Sequence, residues 1–437
     1  MNQQEANVIA VLIRGLYLNA AEGPWAVAGS PPEDGDERPW SSPLPQEALQ
    51  IDLSQAISKG ELNEEPAARI LSEAFSAWVF DRAPAGVEAA KQDNRTEKLP
   101  SCVGIRNQDR VERVYWIDRD VDAARKRRAG KNAVCLEGKM APGCPPAGAE
   151  PSLPPGMSAS GRAGVVRGRI ALVTGGAQGF GGEIVRGLAA SGALVFIADL
   201  NLEGAQKMAG AVNAAGKRTA AIPVAVNVAD EASVEAMFNT VAETAGGLDL
   251  CVSNAGILRA GSVLEQDLAE FKLVTDINYT GFFIIAKHAA RLLRRQHRTA
   301  AAWKTDIIQI NSKSGLEGSN KNGAYAGGKF GGIGLAASFA LELVEYNIKV
   351  NAICPGNFFD GPLWSDPEQG LFVQYLKAGK VPKARTLADV KAFYEAKVPM
   401  KRGCAGADVM RAIYYLVEQE YETGQALPVT GGQVMLH

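Results

Sequence analysis

The sequence is short of the residues that build metal sites and disulfide frameworks. Its three histidines (His288, His297, His437) lie apart, and its six cysteines (Cys102, Cys135, Cys144, Cys251, Cys354, Cys404) contain no C-x-x-C pair. That scatter lacks zinc spacing and predicts a reduced, cytoplasmic chain with no structural metal. A run of roughly 18 uncharged apolar residues is also missing. The opening apolar stretch from Asn7 to Leu18 follows Glu5 and contains Arg14, so neither a signal peptide nor a membrane span is expected. An excess of one charge is absent too: 46 Lys and Arg stand against 48 Asp and Glu, a formal net charge of -2. This balance argues against nucleic acid as a partner and leaves small molecules.

What is present divides the 437 residues into two unlike regions. Between Met140 and Met157 runs MAPGCPPAGAEPSLPPGM, whose prolines lack donors and whose glycines resist ordering, so residues 140–164 are expected to form a linker. Residues 1–139 ahead of it read as an irregular, partly helical extension. Glu64 to Arg82 has helical spacing of Ile70, Leu71, Phe75, Trp78 and Val79, whereas Gly29 to Pro45 and Ala83 to Pro100 look loop-like. The basic run Arg125 to Arg128 suits a solvated helix better than a nucleic-acid patch, and Tyr115 with Trp116 suits local packing better than a ligand platform. No function is legible in this region.

After the linker, apolar strands alternate with helical stretches. Strand candidates are Arg169 to Thr174, Ala193 to Asp199, Ala220 to Val226, Leu248 to Ser253, Asp306 to Asn311, Ile348 to Cys354 and Gln425 to Thr430. Helical patterns include Gly182 to Ser191, Ala232 to Ala245, Phe282 to Arg295 and Ala324 to Tyr346. Repeated βα units with right-handed crossovers predict an α/β domain over residues 165–437: a doubly wound (Rossmann) seven-stranded parallel sheet with helices on both faces.

The strand RIALVT ends at Thr174 and is followed by Gly175, Gly179 and Gly181 just before a helix. Such a tight turn needs glycine for positive φ. A side chain at Gly179 or Gly181 would also hold the backbone away from a pyrophosphate docked at the helix N-terminus. The next strand ends in Asp199, where a dinucleotide fold places the carboxylate that binds both adenosine ribose hydroxyls; a helix-capping role is the competing reading. A carboxylate there repels a 2′-phosphate, and Leu200 and Asn201 follow rather than an arginine, so NAD is favoured over NADP.

Further pieces fall in a fixed order: Asn254, Ala255 and Gly256 after the fourth strand, Asn278 in INYTG, Ser312, Tyr325 and Lys329 four residues apart, then Pro355 and Gly356. Over roughly Gly168 to Gly432 the chain resembles the short-chain dehydrogenase/reductase family. The resemblance implies catalytic roles for Asn278, Ser312, Tyr325 and Lys329, the serine lying thirteen positions before the tyrosine. It implies NAD contacts from Thr174, Gly175, Gln178, Gly179, Phe180, Gly181, Asp199, Asn227, Val228, Asn254, Ala255, Gly256, Tyr325, Lys329, Pro355 and Gly356. It also implies a homo-oligomer, dimer or tetramer, joined through Phe282 to Arg295 and Ala324 to Tyr346. One departure is Asn227, which stands where the family often has an aspartate.

The chemistry explains the grouping. Oxidising a secondary alcohol removes a hydroxyl proton as hydride leaves carbon, and a free phenol with a pKa near 10 is a poor base at neutral pH. On a helix Tyr325 and Lys329 share one face at i and i+4, so the ammonium can lower the phenol's pKa. A bare Y-x-x-x-K also occurs in many surface helices, and Ser314 competes with Ser312; the loop and the serine spacing decide both questions.

Within the family, IIQINSKSG, GAYAGGKFGGIGL, VPMKRGC and PVTGGQVM resemble members that oxidise a sugar-alcohol phosphate to a ketose phosphate with NAD. The insert from Asn357 to Arg402 holds eight bases (Lys377, Lys380, Lys383, Arg385, Lys391, Lys397, Lys401, Arg402) against five acids (Asp360, Asp366, Glu368, Asp389, Glu395). That excess suits a phosphorylated substrate, or a solvated lid that is basic without purpose. Lys313, Ser314 and Asn357 are the expected substrate contacts.

Overall fold

The computed structural model describes residues 3–20, 26–29, 49–58, 61–82, 102–107, 110–118, 161–216, 219–368, 370–377 and 381–435. Residues 140–160 of the expected linker, the basic run 125–128 and His437 lie outside the described residues, as do the loop-like stretches apart from Gly29.

The N-terminal region supplies α1 (Gln3–Ala20), β1 (Ala26–Gly29), β2 (Leu49–Asp52), β3 (Ile57–Ser58), β4 (Glu61–Leu62), α2 (Glu64–Arg82), β5 (Cys102–Asn107) and β6 (Arg110–Asp118). Strands β1, β6, β5 and β2 form a four-stranded sheet in that order, with Tyr115 and Trp116 in β6 opposite Gly29 and Ala28 of β1. The expected helix Glu64 to Arg82 is α2, while α1 and the small sheet go beyond what the sequence pattern indicated. Val8, Ile9, Leu12, Ile13 and Leu16 of α1 are buried with Leu71 and Phe75 of α2 and Ile51 of β2.

The larger region follows as β7 (Ile170–Thr174), α3 (Gly179–Ala190), β8 (Leu194–Asp199), α4 (Leu202–Gly216), β9 (Ala221–Ala225), α5 (Glu231–Ala245), β10 (Leu250–Ser253) and α6 (Leu268–Thr275). Next come α7 (Gly281–His297), β11 (Thr305–Ile310), α8 (Gly323–Leu343), β12 (Ile348–Pro355), α9 (Leu371–Lys377), α10 (Leu387–Ala396), α11 (Gly406–Glu418) and β13 (Ala426–Val429). The seven strands pair in parallel in the order β13-β12-β11-β10-β7-β8-β9. Strands β7, β11 and β12 are buried at every residue; β7 reads as a continuous apolar run, while β11 and β12 also bury the Asp306–Lys349 ion pair at their starts. Helices α5, α7 and α8 cover one face and α3, α4 and α11 the other, each over its own apolar layer. The order reverses at β7, so the ends of β7, β8 and β10 open a crevice at the sheet's C-terminal edge.

The N-terminal region is packed against this domain. Arg14 of α1 is fully buried and donates to Asp249 at 2.7 Å and to Gln296 at 2.7 Å. The Asp249 carboxylate also accepts from the Ile170 N–H at 2.7 Å and from Trp303 Nε1 at 2.9 Å. Arg14 and the neighbouring Arg169 hold Asp249 below the usual carboxylate range, against the burial that would raise it. Thr299 donates to the Leu12 carbonyl at 2.7 Å, Glu64 pairs with Arg295 at 2.6 Å, and Glu65 pairs with Arg298.

Insert residues after β12 build a separate small core. Phe359, Trp364, Phe372, Val381, Val390 and Val398 are buried together, with Tyr375 and Tyr394 packed on Trp364 at centroid distances of 5.9 and 5.2 Å.

Candidate active site

The crevice is floored by the turn from β7 into α3. Gly175 and Gly179 adopt φ of 63° and 59°, the left-handed region that favours glycine. A Cβ on Gly179 would point into open space, so bare backbone faces the crevice there. Gly181 differs from its sequence reading: its Cβ would stand 2.0 Å from the Gly175 carbonyl oxygen. Closure of the loop on itself, rather than approach to a ligand, demands glycine at that position. The first amides of α3 have no partner within the helix and, with the helix dipole, suit a phosphate.

Thr174 and Asn254 lock the crevice floor. The buried Thr174 hydroxyl accepts from the Asn254 and Ala255 amides at 3.0 and 3.1 Å. Asn254 Nδ2 donates to the carbonyls of Thr174 and Gly175 at 2.9 and 3.1 Å. Their hydrogen bonds therefore join the loops after β7 and β10. Gln178 precedes α3 with no side-chain cap, and Phe180 stacks on Phe358 of the insert with centroids 4.4 Å apart.

Asp199 ends β8 at the crevice edge. Its two oxygens accept from the Ala177 and Asn201 amides, each at 2.9 Å. The cap of α4 is Asn201, which accepts from the Gly204 N–H at 3.0 Å, so the capping reading of Asp199 gives way. A carboxylate offers about four acceptor positions, leaving capacity for ribose hydroxyls. Asn227 turns the chain after β9 by accepting from the Ala229 N–H at 3.1 Å, with Val228 buried beside Gly281. This donor and acceptor set fits a nicotinamide dinucleotide, the cofactor class typical of the family.

Of the candidate catalytic side chains, Ser312 stands just after β11 and Tyr325 and Lys329 in the first turns of α8. Tyr325 hydrogen-bonds the Ser312 side chain, and Ser312 Oγ also accepts from the Ser314 N–H at 3.1 Å. Lys329 is buried, with its ammonium 5.6 Å from the Tyr325 ring centroid and donating to the Ile310 carbonyl at 2.9 Å. Burial pulls its pKa down to about 8. Burial also raises the Tyr325 phenol, opposed by its hydrogen bond to Ser312. Lowering of the phenol by the ammonium, expected from sequence, is not among the causes acting here, because the lysine nitrogen turns to Ile310.

Asn278 lies in a single π-type turn, Asp276–Thr280, between α6 and α7. Such turns interrupt helices at functional positions. The buried amide donates to the Ile257 carbonyl and accepts from the Ile257 N–H, both at 2.8 Å, beside Gly256. Pro355 ends β12, and Gly356 continues its ladder by donating to the Val429 carbonyl at 2.9 Å.

The expected substrate contacts divide. Ser314 is buried next to Ser312, and Asn357 is half-buried with its carbonyl accepting from the Cys404 N–H at 2.8 Å. Lys313 is paired with Glu317 at 2.9 Å. Among the insert bases, Lys391 pairs with Asp360 at 2.6 Å, Arg402 holds Asp408 at 2.6 and 3.0 Å, and Lys397 lies 4.3 Å over the Phe393 ring. Lys377, Lys383 and Arg385 are exposed, and Lys380 lies outside the described residues.

The sequence reading missed three neighbours of the site: Asn311 behind Ser312, Phe358 against Phe180, and Cys354. Cys354 lies beside the Ser312 backbone, and burial pushes its thiol pKa up to about 12, so it stays neutral. Only the dipeptide Asn311–Ser312 carried a signal, since a polar pair follows directly on the strand. Among the described residues no three His, Cys, Asp or Glu side chains gather as a metal site, and no helix is long and apolar enough to cross a membrane.

Residues 169–364 match the family described as short chain dehydrogenase. Sorbitol-6-phosphate 2-dehydrogenase of Escherichia coli is 37% identical over 270 residues, which are 61% of this chain and 99% of that protein. Cis-4-hydroxycyclohexanecarboxylate dehydrogenase of Sinomonas cyclohexanicum is 34% identical over 267 residues, 60% of this chain and 96% of that protein. Among solved structures, sorbitol-6-phosphate 2-dehydrogenase from Erwinia amylovora superposes with a TM-score of 0.56 at 38% identity, covering 61% of this chain and 100% of the other. With the parallel sheet, the glycine turn and the serine, tyrosine and lysine gathered at one edge, and with relatives matched over nearly their whole length, the chain belongs to the short-chain dehydrogenase family and is an oxidoreductase.

Proposed function

We propose that the chain is a cytoplasmic, NAD-dependent dehydrogenase that oxidises a sugar-alcohol phosphate at a secondary carbon, D-sorbitol 6-phosphate to D-fructose 6-phosphate, and reduces the ketose in reverse. The observation that carries this reading is the 37% identity to the Escherichia coli enzyme over 99% of that enzyme's length. Asp199 supports NAD over NADP, because its carboxylate at the end of β8 would repel a 2′-phosphate.

Tyr325 takes the proton of the substrate hydroxyl, and Ser312 hydrogen-bonds the same oxygen. Lys329 would bind the nicotinamide ribose and, once released from the Ile310 carbonyl, stabilise the resulting phenolate electrostatically, while Asn278 holds the turn that leads the proton toward solvent. Bound nicotinamide supplies the hydride acceptor. The α3 amides hold the pyrophosphate, Asp199 the adenosine ribose, and Asn227 with Val228 the adenine side. Gly356 and Asn357 line the nicotinamide and substrate side with Ser314. Residues 1–139 are read as an arm docked on the dehydrogenase domain, 165–437, through α1. The exposed Phe283, Phe330 and Leu341 on α7 and α8 support a homo-oligomer, dimer or tetramer.

The test is NADH production by the purified full-length protein with sorbitol 6-phosphate, against free sorbitol and with NADP in parallel. A clear preference for the phosphorylated substrate with NAD is expected; equal rates on both polyols would refute the phosphate assignment. A second reading rests on the 34% identity to the hydroxycyclohexanecarboxylate enzyme: an alicyclic alcohol carrying a carboxylate. The exposed bases Lys377, Lys383 and Arg385 suit either anion. Turnover of 4-hydroxycyclohexanecarboxylate above that of sorbitol 6-phosphate would select it.

A further inference from the structure

Asn311 stands between the two ends of the reactive cluster. It follows β11, is 4% exposed, and its own N–H donates to the Ile353 carbonyl at 2.7 Å, continuing the sheet ladder. Its side-chain oxygen accepts from the Ser312 N–H at 2.8 Å. Its side-chain nitrogen donates to the Lys329 carbonyl at 2.9 Å and to Gln309 Oε1 at 2.9 Å. Lys329 answers in the opposite direction, its ammonium donating to the Ile310 carbonyl at 2.9 Å. The end of β11 therefore grips the reactive lysine at both backbone and side chain. Space for the amide is made by Gly315, where a Cβ would fall 2.2 Å from Asn311 Oδ1.

Both Nδ2 donors and one Oδ1 lone pair are engaged inside the protein, a pattern that the smaller or charged replacements do not reproduce. Aspartate keeps the shape but sets an acceptor against two acceptor oxygens; serine and alanine do not span from strand to helix. We propose that Asn311 is a positioning residue of the active centre, fixing Ser312 and the first turns of α8 so that Ser312, Tyr325 and Lys329 meet one substrate oxygen. This inference rests on the oxidoreductase reading and not on the choice of substrate. It acts through placement: Asn311 touches neither substrate nor cofactor, and a shift of about 1 Å in such groups costs on the order of a hundredfold in rate.

The test compares full-length wild type, Asn311→Ser, Asn311→Asp, Ser312→Ala and the Asn311→Ser/Ser312→Ala double variant. Steady-state rates use whichever alcohol in a polyol and polyol-phosphate panel the wild type turns over fastest, and NADH binding is followed by fluorescence. Asn311→Ser should lower kcat by roughly ten- to a hundredfold while KM and the NADH Kd stay within about twofold. In the Ser312→Ala background the same change should cost clearly less, because part of its effect passes through Ser312. Asn311→Asp should move the Tyr325 titration upward by at least about half a pH unit, since a carboxylate replaces a neutral amide while Lys329 and Cys354 are unchanged. That titration is read as the ultraviolet difference between each protein and its Tyr325→Phe counterpart, so it reports even if no alcohol is turned over. Equal rate losses in both backgrounds, an unmoved Tyr325 titration, or failure of both Asn311 variants to fold would assign Asn311 to stability alone and overturn the proposal. A wild type inert toward the whole panel would instead count against the oxidoreductase reading.

Discussion

Replacing Arg14 by methionine tests how the N-terminal helix is held. The substitution keeps the aliphatic bulk of the side chain and deletes the charge, with its hydrogen bonds to Asp249 and Gln296. What remains is a fully buried carboxylate with the Ile170 amide, the Trp303 indole and the more distant Arg169 to balance it. Removing one partner of a buried ion pair costs about 3–5 kcal/mol, because the other charge is left uncompensated. Asp249 is depressed in the native protein, so it contributes stability above the unfolded carboxylate value near 3.9, and that contribution is lost as pH falls through the native value. In Arg14→Met this contribution is gone and burial drives the Asp249 carboxyl above its unfolded value, so protonation relieves the variant and the deficit should narrow as pH falls from 7 toward 4. Urea denaturation of both proteins across that range measures it. Asp249 lies at the N-terminal edge of the sheet, opposite the crevice, so NADH affinity at permissive temperature should match wild type. A loss below about 1 kcal/mol at pH 7, or a deficit independent of pH, would refute the buried-pair account.

Two further outcomes follow from the site. Lys329 is held at about 8 by burial, below an ordinary lysine, so its charging costs stability below that pH and the cost is relieved as pH rises toward the ordinary value. Lys329→Met should therefore be about 2 kcal/mol more stable than wild type at pH 7, after allowing for the lost bond to Ile310, and should lack the gain of wild type between pH 7 and 9 by thermal denaturation; a less stable variant at pH 7 contradicts this. Asp199→Ala should lower the ratio of NAD to NADP efficiency at least about tenfold in parallel kcat/KM measurements, through loss of ribose contacts and of repulsion to the 2′-phosphate; an unchanged ratio contradicts it.

The dehydrogenase fold was legible because burial on both faces writes itself into sequence: Ile170–Thr174 and Leu194–Asp199 are apolar up to their last residue, and glycine marks the turn after the first. Helix α8 was legible through its motif alone, since GAYAGGKFGGIGLAASFALEL is apolar on nearly every side. Asn278, Ser312, Tyr325 and Lys329, proposed as the catalytic residues, were picked out through the resemblance and its spacing. Arg14 illustrates the limit. In sequence it interrupts an apolar run, and nothing local shows that its partner lies 235 residues away. Asn311 and the Phe180 and Phe358 stack depend likewise on chain segments brought together only by the sheet. The structural reason for Gly181 also came from the loop's own carbonyl, which spacing does not reveal.

The most direct test of the account is Tyr325→Phe in the full-length protein, which removes one hydroxyl from the cluster that Ser312 and Lys329 complete. NADH should bind with a Kd within about twofold of wild type, and alcohol oxidation should fall by roughly a thousandfold at every pH from 6 to 10. Retention of a tenth or more of wild-type turnover would contradict the assignment of Tyr325 as the proton acceptor, and with it the mechanism proposed for this chain.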